Sequence, residues 1–128
     1  MSRTDQRRAA VVALYQHDVT GRPVAEVTPR VASHLTLGLI EGVEKHKEEL
    51  DALIERYAEG WSLERIAALE RNILRVALLE LIFRSDVPKE VAIDEAVEAA
   101  KELCSVEAPK FVNGILGAVA EKEEVQAS

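Results

Sequence analysis

The stretch LERNILRVALLELIF, Leu69 to Phe83, decides the fold. From Ile73 to Phe83 only Arg75 and Glu80 carry charge, and Leu, Ile, Val and Ala fill the other positions. A helix apolar almost all round is buried on every side, so this segment reads as the central helix of a helical bundle. A charge on such a helix must reach an edge or a partner, because an unpaired buried charge is costly. Arg71 and Arg75 stand four apart and share one face. Glu80 lies well round from Arg75 and leaves two readings open: an i,i+4 pair with Arg84, or contact with another molecule.

Apolar residues recur at spacings of three and four on both sides of this segment, and nothing alternates with period two for long. With aromatic residues at only 4%, the pattern implies an all-α fold. A first helix is predicted from about Asp5 to Thr20 on Ala10, Val11, Leu14 and Tyr15, ended by Gly21 and Pro23. A short segment over 23–28 follows. Pro29 suits the first turn of a long helix that uses Val31, Leu35, Leu39, Ile40, Val43, Leu50, Leu53, Ile54 and Tyr57 and reaches Ala58. Gly38 and Gly42 would bend that helix or admit a close neighbour, and a break near Lys45–Lys47 is open. Ser62 is placed to cap a short helix through Ala67.

Pro88 keeps Val87 out of helix. The next helix is expected over about Ile93–Leu103, with Ile93, Ala96, Val97, Ala100 and Leu103 inward and Asp94 and Glu95 favouring its dipole. Pro109 opens a last helix to near Glu121, and the tail from about 122 to 128 is expected to fray. The expectation is one domain over 1–128, with six to seven helices.

The chain has 128 residues, 48% apolar and 30% charged, an ordinary composition for one globular domain. Cys104 is the single cysteine, which rules out an intrachain disulfide and suits a reducing cytoplasm. No apolar run approaches the length of a membrane span, and MSRTDQRR lacks the apolar core of a signal peptide. Net charge is −7, but residues 1–30 hold Arg3, Arg7, Arg8, Arg22 and Arg30 against Asp5, Asp18 and Glu26. That end is net +2 on a remainder of −9, an asymmetry that points to a polyanion or a solvated helix start.

Catalytic chemistry has little to rest on. His17, His34 and His46 lack zinc-ligand spacing, with one cysteine to join them. There is no phosphate loop or dinucleotide fingerprint. Asp94/Glu95/Glu98 and Glu121/Glu123/Glu124 read as solvated helix faces. Cys104 lacks the cationic surroundings that lower a thiol pKa. No catalytic residue, metal or cofactor is expected.

The segment KFVNGILG, Lys110 to Gly117, raises a different question. Gly inside a helix costs about 0.8–1 kcal/mol against Ala, and this helix has two. Val112, Ile115, Leu116 and Val119 point one way, into a core. Asn113 and Gly117 share another face, with Lys110 one turn before. One side is stripped of bulk and edged by an amide and a cation. It suits close helix packing, or the approach of a ligand backbone with Asn113 as donor and acceptor. Phe111 is either core or a stacking platform for a base.

Three segments together, RRAAVVALYQ (7–16), ALERNILRVALLEL with SDVPKEVAIDEAVEAAKEL (68–103), and KFVNGILG, resemble the NusB family of bacterial transcription antitermination factors. The resemblance covers nearly the whole chain and implies an all-α fold of two helical subdomains. It also implies binding of boxA-type single-stranded leader RNA, pairing with the small-subunit ribosomal protein NusE, and entry into the RNA polymerase antitermination complex that supports rRNA transcription. Some members self-associate, which leaves a homodimer open, and none of this requires a membrane.

By position, the resemblance implies RNA contact for Arg3, Arg7, Arg8, Lys110, Phe111, Asn113 and Gly117, and NusE contact for Tyr15 and Glu80. Thr4 and Asp5 stand where other members carry further arginines, which implies weaker or more partner-dependent RNA binding. Gly117 stands where some members carry an acid, and its absence removes a repulsion against phosphate. Some relatives are fused to an rRNA methyltransferase; at 128 residues this chain is expected to be the free factor. The competing reading is a helical adaptor that binds only protein.

Overall fold

The Ser2 hydroxyl accepts a hydrogen bond from the Asp5 amide at 3.0 Å and starts α1 (Arg3–Thr20), two residues before the expected start. Gly21 ends it in the left-handed region, φ 73°, donating its N–H to the His17 carbonyl. The structure, a computed structural model, describes residues 1–123. After α1 come α2 (Val24–Val27), α3 (His34–Tyr57), a single 3-10 turn (Leu63–Arg65), α4 (Ala68–Phe83), α5 (Lys89–Leu103) and α6 (Ala108–Lys122). There is no strand among the described residues. The expected frayed tail falls mostly on 124–128, outside the described residues.

α4 is central as its composition requires: all ten residues from Asn72 to Leu81 are buried. α1 and α3 pack on one side of it and α5 and α6 on the other, so two helical groups share one core helix. At Gly42 of α3 the Leu79 side chain of α4 seats close against the backbone: a Cβ there would stand 2.6 Å from Leu79 Cδ2 and would push that side chain aside. α3 breaks at His46 (φ −107°, ψ 17°), inside the range where a break was open, and the imidazole stacks on Phe83 with centroids 3.9 Å apart.

Two further boundaries differ from the sequence reading. α3 begins at His34 rather than near Pro29, because Ser33 caps it through the Thr36 amide. Val31, expected in the apolar stripe, is 93% exposed in the connection before it. α5 begins at Lys89, one turn earlier than expected, since the Pro88 carbonyl accepts from the Val91 and Ala92 amides. Asp94 and Glu95 therefore lie beyond the first turn and do not serve its dipole.

The three charges of α4 that the sequence singles out, Arg71, Arg75 and Glu80, are paired inside the protein. Glu80, 1% exposed, meets Arg7 of α1, 5% exposed, through Nε at 2.9 Å and Nη2 at 3.0 Å. Of the two readings left open for Glu80, the Arg84 pair is not formed; Arg84 reaches Asp86 instead. At the middle of α4, Arg75 clamps Asp51 of α3 with two hydrogen bonds of 2.7 and 3.0 Å and reaches Asp18 of α1 at 3.1 Å. Asp18 also accepts from Arg71 at 3.0 Å and Asn72 at 2.9 Å. Arg71 goes on to the Leu63 and Ile66 carbonyls, which fixes the connection before α4. Two guanidinium groups face two carboxylates, so this network carries no surplus charge.

Burial alone would lower the Arg7 guanidinium. Hydrogen bonding and charge from Glu80, then the charges of Glu95 and Asp86, outweigh it and hold the group above its ordinary value. Burial likewise pushes the Asp18 carboxyl up. The hydrogen bonds from Asn72 and Arg71 and the charges of Arg71 and Arg75 win, and the net shift is downward.

Two outcomes follow for stability. Arg7→Met or Glu80→Leu alone strands a buried charge and should cost about 3–5 kcal/mol in urea unfolding, while the double variant regains most of the loss. Equal, additive losses would mean that the pair is not coupled. Asp18 titrates lower folded than unfolded, so its stabilisation is complete above its unfolded pKa near 4 and is lost as pH falls through the folded value. The stability difference between the native chain and Asp18→Asn should therefore be largest near neutral pH and shrink below about pH 4; a difference independent of pH would contradict the assignment.

Candidate nucleic-acid interface

Arg7 and Glu80 correct the sequence reading. They were expected on an RNA-facing and a NusE-facing surface, yet each is the other's buried partner. Arg7 stands three, four and seven residues before Ala10, Val11 and Leu14, on the core stripe of α1, where the chain needs a carboxylate to accompany it.

The other arginines stay nearer the surface. Arg3 is exposed and makes no ion pair among the described residues. Arg8 lies across α5, 3.7 Å from Glu95 and 3.4 Å from Glu102. Glu95 also accepts the Thr4 hydroxyl at 2.8 Å and lies 3.8 Å from Arg7. Glu95, read from sequence as solvated, is instead a hub that ties the start of α1 to α5. Sequence gave little sign of this, because the pairs span 87 or more positions. Glu123, likewise read as solvated, takes Arg56 at 2.9 Å and the Tyr57 hydroxyl.

On α6 the core stripe is as expected: Val112, Ile115, Leu116 and Val119 are buried. The opposite stripe is open. Lys110, Asn113, Gly114 and Gly117 are exposed, and a Cβ placed on either glycine would meet nothing within 4 Å. Close helix packing therefore does not account for these glycines. Neither the Lys110 ammonium nor the Asn113 amide has an internal polar partner among the described residues. Phe111 is half-buried, packed against the core and edge-on to Trp61 with centroids 6.4 Å apart. Trp61, 51% exposed, was not singled out in the sequence; its place after Gly60 at a chain turn was the available signal.

α5 packs on α6 and meets the start of α1 through side chains, at Thr4, Arg7 and Arg8. Tyr15 is half-buried, and Val12 and Val19, 41% and 51% exposed, lie within its arc of α1. These three form a partly exposed apolar stripe on α1.

Near the start of α4, burial and then the charge of Glu70 push the Cys104 thiol up to about 11. Cys104 is therefore a protonated thiol at neutral pH and a poor nucleophile. No helix among the described residues is long and apolar enough to cross a membrane.

Comparisons with known proteins agree with this architecture. The chain is 48% identical over 104 residues to the transcription antitermination protein NusB of Frankia casuarinae, covering 81% of this chain and 76% of that one. Its fold matches a solved structure of T. maritima NusB with a TM-score of 0.84 at 36% identity, over 95% of this chain and 92% of the other. It also matches a crystal structure of antitermination factors NusB and NusE in complex with dsRNA, with a TM-score of 0.81 at 28% identity, over 94% and 98% of the two chains. The NusB family profile matches residues 4–121, and the chain belongs to the NusB family.

Proposed function

We propose that this chain is a transcription antitermination factor that binds boxA-type leader RNA together with NusE and joins the elongating RNA polymerase complex in the cytoplasm, supporting rRNA transcription. The observation that carries the RNA half is the open stripe of α6. Gly114 and Gly117 leave free space over the helix backbone beside Lys110 and Asn113, at the helix cost that glycine brings. A phosphodiester backbone can come close there, with Lys110 against its charge and Asn113 against sugar or base edges. Arg3 and Arg8 supply further cations, and Phe111 offers its exposed edge to a base. Arg7 acts at one remove, by fixing the helix that carries its neighbours.

NusE contact is proposed on the outer stripe of α1, where Val12, Tyr15 and Val19 offer apolar area next to a wet tyrosine hydroxyl, the composition of an interface anchor. Family membership and the likeness to a solved complex of NusB, NusE and dsRNA support both halves.

Binding of a boxA-type single-stranded RNA, measured with and without NusE over a salt series, tests the reading. Arg3→Gln and Lys110→Gln should each weaken RNA binding and flatten the log–log salt slope by about 0.7. Tyr15→Ala should lower NusE affinity and leave binding of RNA alone unchanged. No RNA binding at low salt even with NusE present would favour a helical adaptor that binds only protein. Gly117→Ala should raise stability by about 0.5–1 kcal/mol in thermal unfolding and weaken RNA binding. A variant that gains stability and binds RNA as before would remove the close-approach role.

A further inference from the structure

Among the described residues, Arg8 is the cation of the proposed RNA surface that already holds carboxylates, and the two differ in kind. Glu95 is largely covered and tied to Thr4 and Arg7 besides Arg8. Its Oε2 takes the Thr4 hydroxyl and lies 3.8 Å from Arg7, so Glu95 is held by the fold as well as by Arg8, which lies 3.7 Å from the other oxygen, Oε1. Glu102 has a side chain 60% exposed and reaches a single group, Arg8 Nε at 3.4 Å. A carboxylate that touches one guanidinium and otherwise faces water is held weakly, and a phosphate accepts from the same N–H donors.

We propose that Glu102 is a built-in competitor of RNA phosphate for Arg8, so that RNA engages this arginine by displacing the Glu102 carboxylate. This rests on the reading that Arg8 contacts RNA. The exchange trades one charge-assisted contact for another and leaves a carboxylate beside the bound phosphate. Arg8 therefore adds less to RNA affinity than its charge suggests, and the free surface stays shielded from polyanions of no fitting geometry. With Thr4 and Asp5 nearby and only Arg3 and the buried Arg7 as other cations, Arg8 is a large share of the positive charge at this helix start, so its shielding sets how readily the surface takes RNA unaided.

The test measures a boxA-type single-stranded RNA against the full chain and four variants: Arg8→Gln, Glu102→Gln, Glu98→Gln, and the double variant Arg8→Gln/Glu102→Gln. Glu98 is an equally exposed acid one turn away on α5, paired only with Lys101 at 3.2 Å, and controls for the loss of any acid. Glu102→Gln should tighten binding by about two- to fivefold, the scale of a surface ion pair, and steepen the salt slope. Glu98→Gln should do clearly less, and Glu102→Gln should lose its effect in the Arg8→Gln background. Equal gains from Glu98→Gln and Glu102→Gln, or a gain that survives without Arg8, would overturn the competition while leaving the RNA reading intact. An Arg8→Gln variant that binds RNA as tightly as the native chain would instead remove Arg8 from the surface. Glu102 and Glu98 are both exposed, and unchanged melting temperatures show that the variants compare folded proteins.

Discussion

The structure depends on how the polar groups of one apolar helix are satisfied. α4 is buried through Asn72–Leu81, and water cannot solvate Arg75 or Glu80 there. Each must find an opposite charge on a neighbouring helix, and each finds one: Glu80 takes Arg7 at one end of α1, and Arg75 takes Asp18 near the other end and Asp51 on α3. Hydrophobic burial favours compaction without direction. These pairs supply direction, because a one-turn slip of α1 along α4 would strand several charges at once. Their net stabilisation against an apolar core is small by the usual balance of desolvation and attraction; their effect is on register.

That register positions the surfaces. With Arg7 turned in, Arg3 and Arg8 are left at the helix start and Val12, Tyr15 and Val19 along the outer side. One rigid helix thus presents cations at its beginning and an apolar stripe further on. α6 presents a second polar stripe, on a helix whose other side is anchored by Val112, Leu116 and Val119. The positive groups stand on an acidic body, and α5 brings Glu95 and Glu102 into their midst. Such a surface favours a ligand of matching geometry over loose attraction to any polyanion.

Much of this was legible in the sequence, because it depends on local pattern. The burial of α4 follows from its composition, the end of α1 from Gly21 and Pro23, and the two stripes of α6 from helical spacing, while the break in α3 was an open possibility. What was not legible depends on distant pairing. Glu80 has a plausible partner at Arg84 in sequence and its actual partner 73 positions away. Arg7 is the instructive error: its place on the core stripe with Ala10, Val11 and Leu14 was readable, but a charge on a core stripe reads as exposed until its counter-charge is known. Trp61 beside Phe111 and Glu102 beside Arg8 became visible for the same reason, once the helices were in place.

The glycines of KFVNGILG end as open surface rather than packing. This makes the central claim a spatial one: RNA and NusE use different faces of a single frame, held in register by the buried pairs. Hydrogen–deuterium exchange of the full chain, alone, with boxA-type RNA, and with NusE, tests it most directly. The account predicts that RNA slows exchange at the start of α1 and over 110–117, and that NusE slows it over 12–19. RNA protection confined to 12–19, or protection by both ligands over one shared segment, would contradict it.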